Sequence, residues 1–204
     1  MTKIEINMLL QEIKKLRRID RRDAAIDLLN KALQENADAR LFHSRAMTFE
    51  QMEQPEKAVQ DLTSAILLDK TNPKYYFDRG QLLSAPPLGR NEEATHDFEE
   101  ALRLDPNHVM AHCLYCASLL IMGRPNRALE HAESAVRLAP HEANAHFFLG
   151  ETYMSLKRYK EAVELFRKAV ELDPAPEEYS SSLCRAVKRY SEAETDTRRE
   201  NHSE

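Results

Sequence analysis

A chain of 204 residues, 42% apolar and 31% charged, can build one sizeable core or a stack of small repeats, and its 4 glycines argue against a sheet-rich fold or a glycine-rich phosphate loop. A formal net charge of −5 gives no basic footprint for nucleic acid, no apolar stretch approaches the roughly 18 residues of a membrane span, and the start MTKIEINMLLQEIKK lacks a signal-peptide pattern. Three cysteines, Cys113, Cys116 and Cys184, are too few and too odd in number for a disulfide framework, so an all-α protein of the cytoplasm is expected.

In chain order, Leu9, Ile13 and Leu16 mark a first helix, and Ala25, Leu29 and Ala32 a second, within residues 1–38. Between them the run from Lys14 to Arg22 gathers six basic residues. It suits an acidic partner, a phosphoinositide surface or RNA, but Glu12, Asp20, Asp23 and Asp27 balance it, and without aromatics an ordinary solvated face is the simpler reading.

A phrase then recurs: Ala58, Leu62, Ala65; Ala94, Phe98, Ala101; Ala128, Ala132, Ala135; Ala162, Phe166, Ala169, with steps of 36, 34 and 34 between leading alanines. Pro106, Pro140 and Pro174 follow the last three phrases and are expected to end those helices; Lys70 takes that place in the first. Upstream of each phrase lies another helical pattern, with bulky Phe42, Tyr76, His112 and His146, and small Ala46, Gly80, Cys116 and Gly150 one turn later. Small residues there let two antiparallel helices approach closely. Four helix-turn-helix units are predicted, at 39–72, 73–108, 109–142 and 143–176.

The second unit carries two extra residues around Pro86-Pro87, read as a tolerated surface insertion rather than a partner-binding loop. Tyr179, Leu183, Ala186, Val187 and Tyr190 predict a capping helix over 177–190, and 191–204, without apolar periodicity, is expected to be a disordered tail.

Phe148-Leu149-Gly150, Tyr153, Ala162, Phe166 and Pro174 carry a resemblance to the tetratricopeptide repeat. Arg45, Arg79 and Tyr115 stand where that family has Leu, and Cys116 where it has Gly. The resemblance implies an all-α, right-handed α-solenoid of antiparallel helix pairs whose concave groove holds a segment of another protein. It places Arg40, His43, Ser44 and Met47, then Lys74, Phe77, Asp78 and Gln81, then Met110, Cys113, Leu114 and Ala117, then Asn144, Phe147, Phe148 and Glu151 along the groove. Phe77, Leu114, Phe147 and Phe148, with Met110, His43, Lys74 and Asp78, are the candidate partner-binding residues, the apolar third and fourth units contributing most.

The lysine, asparagine and arginine set with which some family members clamp a chaperone's C-terminal carboxylate is not recovered in any register, and Asp78 would repel such a tail. A scaffold or adaptor binding an apolar or amphipathic segment is therefore expected, or alternatively a dedicated chaperone for a secreted or assembling subunit. Catalysis is not expected, nor a cofactor, a metal, a nucleic-acid partner or a membrane span. The Cys113/Cys116 pair falls mid-helix rather than at a helix N-terminus, and His108, His112, His141 and His146 fit turn and packing positions.

Overall fold

A computed structural model describes the backbone of residues 1–201 and the side chains as far as Thr195. Eleven helices and no strand occur among the described residues: α1 (Lys3–Arg18), α2 (Arg22–Glu35), α3 (Ala39–Gln51), α4 (Pro55–Leu68), α5 (Pro73–Ser84), α6 (Asn91–Leu104), α7 (Val109–Ile121), α8 (Pro125–Leu138), α9 (Ala143–Ser155), α10 (Tyr159–Leu172) and α11 (Glu177–Asn201). They fall into two compact units, Met1–Pro106 with α1 to α6 and Asn107 onward with α7 to α11. In each, consecutive helices pair across a short turn.

One turn chemistry closes all five pairs. Asp20, Glu53, Gly89, Gly123 and Lys157, at φ 61, 57, 59, 68 and 60°, occupy the left-handed region just past α1, α3, α5, α7 and α9. The next residue then donates its N–H back into the helix: Arg21 to Leu16, Gln54 to Phe49, Arg90 to Leu83, Arg124 to Leu119 and Arg158 to Tyr153, at 2.7 to 2.9 Å. This satisfies carbonyls that a helix end leaves open. The extra residues of the second unit are absorbed between Ser84 and Arg90 with that bond kept. Glutamate and lysine pay a Cβ penalty in this conformation that glycine does not. Glu53→Gly should therefore stabilise the chain by about 0.5–1 kcal/mol in denaturant titration, since the exposed Glu53 side chain contributes no packing to lose.

Second helices end at Leu68, Leu104, Leu138 and Leu172 in the four clear units, whether proline or Lys70 follows. The prolines reinforce a stop already set by the backbone, which turns extended at Asp69. Gly80 and Gly150 mark the closest helix approaches: a Cβ on Gly80 would sit 2.9 Å from Cε1 of Phe98, and one on Gly150 2.7 Å from Cε1 of Phe166. Both rings are completely buried.

The departures from the repeat pattern form an ordered series. Arg45 of α3 grips Asp61 of α4 with two hydrogen bonds of 2.7 Å and reaches Asn30 of α2 with a third. Arg79 of α5 repeats the arrangement, on Asp97 of α6 at 2.7 and 2.8 Å and on Thr63 of α4 at 3.0 Å. Each guanidinium thus ties its own helix pair to the preceding one, and the planar fork matches a carboxylate as a lysine would not. Burial pushes the Asp97 carboxyl up while the Arg79 hydrogen bonds oppose it. At the same places the third clear unit has Tyr115 packed against His131, ring centroids 4.2 Å apart and planes tilted by 32°, and the fourth has Leu149 and Leu165.

His131 has a pH consequence. Burial, with help from His112 and Arg127, pulls its imidazole down to about 4 from an ordinary 6.5. An unfolded chain takes up a proton there as pH falls below 6.5, whereas the folded chain refuses it until about 4. Stability from this residue is complete above the unfolded value and lost on acidification. Melting temperature should therefore fall between pH 7.5 and 5, and by less in His131→Phe.

The end of the chain differs from expectation. α11 runs on past Tyr190 to Asn201 instead of giving way to a disordered tail at 191; residues 202–204 lie outside the described residues. No glycine or proline interrupts the segment, Arg189 reaches Glu192 at 3.4 Å, and the Tyr190 hydroxyl donates to Glu194 at 2.8 Å. Apolar periodicity reports burial, and a helix carried by propensity and side-chain pairs does not need it.

Candidate partner-binding groove

The first helices of the three pairs in the N-terminal unit, α1, α3 and α5, line one open groove of about 870 Å³. α1 supplies Asn7, Met8, Leu10, Gln11, Lys14 and Arg17; α3 supplies Arg40, His43, Ser44, Met47, Glu50 and Gln51; Asn72, Lys74 and Tyr75 come from the start of α5. Side chains three and four residues apart share a helix face, which is why each helix contributes in that rhythm.

Most of the charge is fixed in place. Asp38 caps α3 by accepting the Arg40 N–H at 2.9 Å, and its two oxygens take the Arg40 guanidinium at 2.9 and 2.7 Å. The Arg40 hydrogen bonds hold the Asp38 carboxyl below the usual range. Arg40 also donates to Asn7 of α1 at 3.0 Å, bridging two walls. Asp78, with its side chain 8% exposed, shares a 2.6 Å hydrogen bond with His43 and accepts Lys74 at 3.2 Å. The expected trio His43, Lys74 and Asp78 is thus brought together, with Asp78 committed to its neighbours. Burial, then the Asp78 charge, pushes Glu50 up.

The apolar candidates fare differently. Phe77 is half-buried against the core of α4, α5 and α6, its centroid 6.3 Å from that of Phe98. In the second unit Phe147 is a core residue, 5% exposed, because α11 lays Tyr179 over it at 5.0 Å. That corrects the expectation that Phe147 offers a free binding surface. Tyr179 further bonds Asn144 at 2.8 Å, and Ser182 and Arg185 both reach Glu151, so α11 occupies the face expected to receive a partner. Phe148 remains half-buried and lines a slot of about 340 Å³ with Leu120 and Ile121. On α7, Met110 is exposed and Leu114 half-buried.

Cys113, expected toward the groove, is instead fully buried with Ala135 and Ala145, and burial pushes its thiol up to about 12. Cys116 rises to about 11 for the same reason and lies 3.2 Å from the Thr152 hydroxyl. Thiols held so far from ionisation are packing groups. His108 caps α7 by accepting the Ala111 N–H, and His146 hydrogen-bonds the Pro140 carbonyl. Among the described residues no group of three or more His, Cys, Asp or Glu is placed to hold a metal, and no helix is long and apolar enough to cross a membrane.

The contribution of α1 is what sequence reasoning missed, although the signal was present. The step from Ala25 to Ala58 is 33 residues, and the same step back from Arg40, His43, Ser44 and Met47 reaches Asn7, Leu10, Gln11 and Lys14, all of which line the groove.

Paired helices with a lined groove and packed thiols define a helical-repeat scaffold. Tetratricopeptide-repeat models match residues 39–72, 73–108 and 118–176, and the chain belongs to that family. It is 36% identical over 75 residues to human mitochondrial import receptor subunit TOM70, a match covering 37% of this chain but only 12% of the receptor. Among solved structures, Pseudomonas aeruginosa pilF superposes with a TM-score of 0.76 at 19% identity, over 93% of this chain and 86% of that one. YrrB, described as a TPR protein with an unusual peptide-binding site, gives 0.74 at 19% over 88% and 90%. At such identities the likeness establishes the fold.

Proposed function

We propose that this protein is a non-catalytic cytoplasmic adaptor that holds an amphipathic segment of a partner protein in the groove formed by α1, α3 and α5. The observation that carries the reading is the groove itself, an open space of about 870 Å³ in which apolar Met8, Leu10 and Met47 alternate with oriented polar groups. Apolar lining supplies affinity, and fixed polar groups supply orientation. The peptide-binding site named for YrrB lends support from a protein of the same fold. Because α11 covers Phe147, the main docking surface moves from the apolar third and fourth clear units to the N-terminal unit.

Site-specific photo-cross-linking tests this. A photoreactive residue replacing Lys74, 60% exposed on the groove wall, should capture a discrete partner protein in stoichiometric yield. The same probe at Ile121, 70% exposed in the second unit, should not. Capture at Ile121 alone would overturn the assignment.

A further inference from the structure

The basic run from Lys14 to Arg22 divides according to what each cation faces. Lys15 pairs with Glu12 at 3.7 Å and Arg22 with Asp20. Lys14 and Arg17 instead line the groove, and together with Arg18 and Gln51 they line a second cavity of about 340 Å³ that shares those walls. Neither Lys14 nor Arg17 makes a side-chain hydrogen bond or ion pair among the described residues, whereas Arg40, His43 and Lys74 are each already on a carboxylate.

Arg17 is half-buried, and desolvation pulls its guanidinium below the ordinary range; Glu50 acts on it from α3 without forming an ion pair. A cation withdrawn from water with no counter-ion is unfavourable until an anion reaches it. Glu50 is a poor internal substitute, because burial and Asp78 already disfavour its own charge.

We infer that the segment this groove takes is acidic as well as amphipathic: a side-chain carboxylate of the partner seats on Lys14 and Arg17 while its apolar side chains lie on Leu10 and Met47. The inference rests on the groove reading above and adds the partner's chemistry. A polypeptide fits better than the other polyanions. Arg17 is recessed in a concavity that also holds Glu50, which keeps it from a flat anionic bilayer. The lining aromatic, Tyr75, is 3% exposed and offers no face for stacking a base.

The test selects a phage-displayed library of random peptides on the full chain, followed by synthesis of the best binder and measurement of its Kd and of hydrogen exchange in its complex. The expected outcome is enrichment of Asp and Glu interleaved with apolar residues, protection of α1, α3 and α5, and a Kd raised about tenfold by Arg17→Gln. Lys188→Gln, on the exposed face of α11, should leave it unchanged. Melting curves of the variants establish that each is folded, and Lys14→Gln serves as a second variant should Arg17→Gln not fold. Apolar binders without acid that still protect α1, α3 and α5 would sink the acidic inference and leave the groove reading standing. Binders protecting only the second unit would sink both. Displacement of the peptide by single-stranded RNA or by phosphoinositide vesicles at lower concentration than by free peptide would reassign the site to those polyanions.

Discussion

Arg79→Leu should destabilise the protein by about 3–5 kcal/mol, although leucine is the residue that the repeat family uses at that place. The reason is Asp97. It is 4% exposed and accepts two hydrogen bonds from the Arg79 guanidinium, so removing the arginine leaves a buried carboxylate with its main partner gone. Replacing both residues, Arg79→Leu with Asp97→Leu, should recover most of the loss, because the fourth clear unit carries Leu149 and Leu165 at those places. Thr63 would keep its 2.8 Å bond to the Val59 carbonyl in either variant. Urea titration of the two variants decides the matter. A single substitution costing under about 1 kcal/mol would mean that the clasp is an exposed pair of little consequence.

The second large effect is expected at Gly150. Gly150→Leu should cost about 3 kcal/mol or more, since a Cβ alone would stand 2.7 to 3.0 Å from three carbons of the Phe166 ring. That ring is fully buried and touches Phe147, centroids 5.8 Å apart, so it has no vacant direction in which to yield. Ser155→Leu, on the exposed end of the same helix, should change stability by no more than about 0.5 kcal/mol. A melting temperature for Gly150→Leu equal to that of the unaltered protein would contradict the close approach of α9 and α10.

These residues also show what was legible before the structure. Ala58, Ala94, Ala128 and Ala162 repeat at nearly constant steps, and such self-similarity constrains helix pairing far more than any single motif. The Arg–Asp clasps were hidden because each partner lies on a different helix, and only the structure shows that Arg45 with Asp61, Arg79 with Asp97 and Tyr115 with His131 are one series. Groove-facing positions were readable on α3 and α5, where the repeat is clear, and obscured on α1, where it is degenerate. Phe147 was misread for another reason: its register does face the groove side, but whether that side stays open depends on where α11 packs, and no local pattern encodes that. The extension of α11 past Tyr190 has no apolar stripe to announce it, because helix propensity and side-chain pairs such as Tyr190 with Glu194 carry it.

A partner segment seated in the groove of the N-terminal unit would shield the helices that line it. Hydrogen exchange of the chain, alone and in complex with the partner captured through Lys74, reads that shielding helix by helix. Exchange should slow in α1, α3 and α5, with α2, α4, α6 and the second unit little changed. Protection confined to α7, α9 and α11, or to the second helices of the N-terminal unit, would contradict that seating.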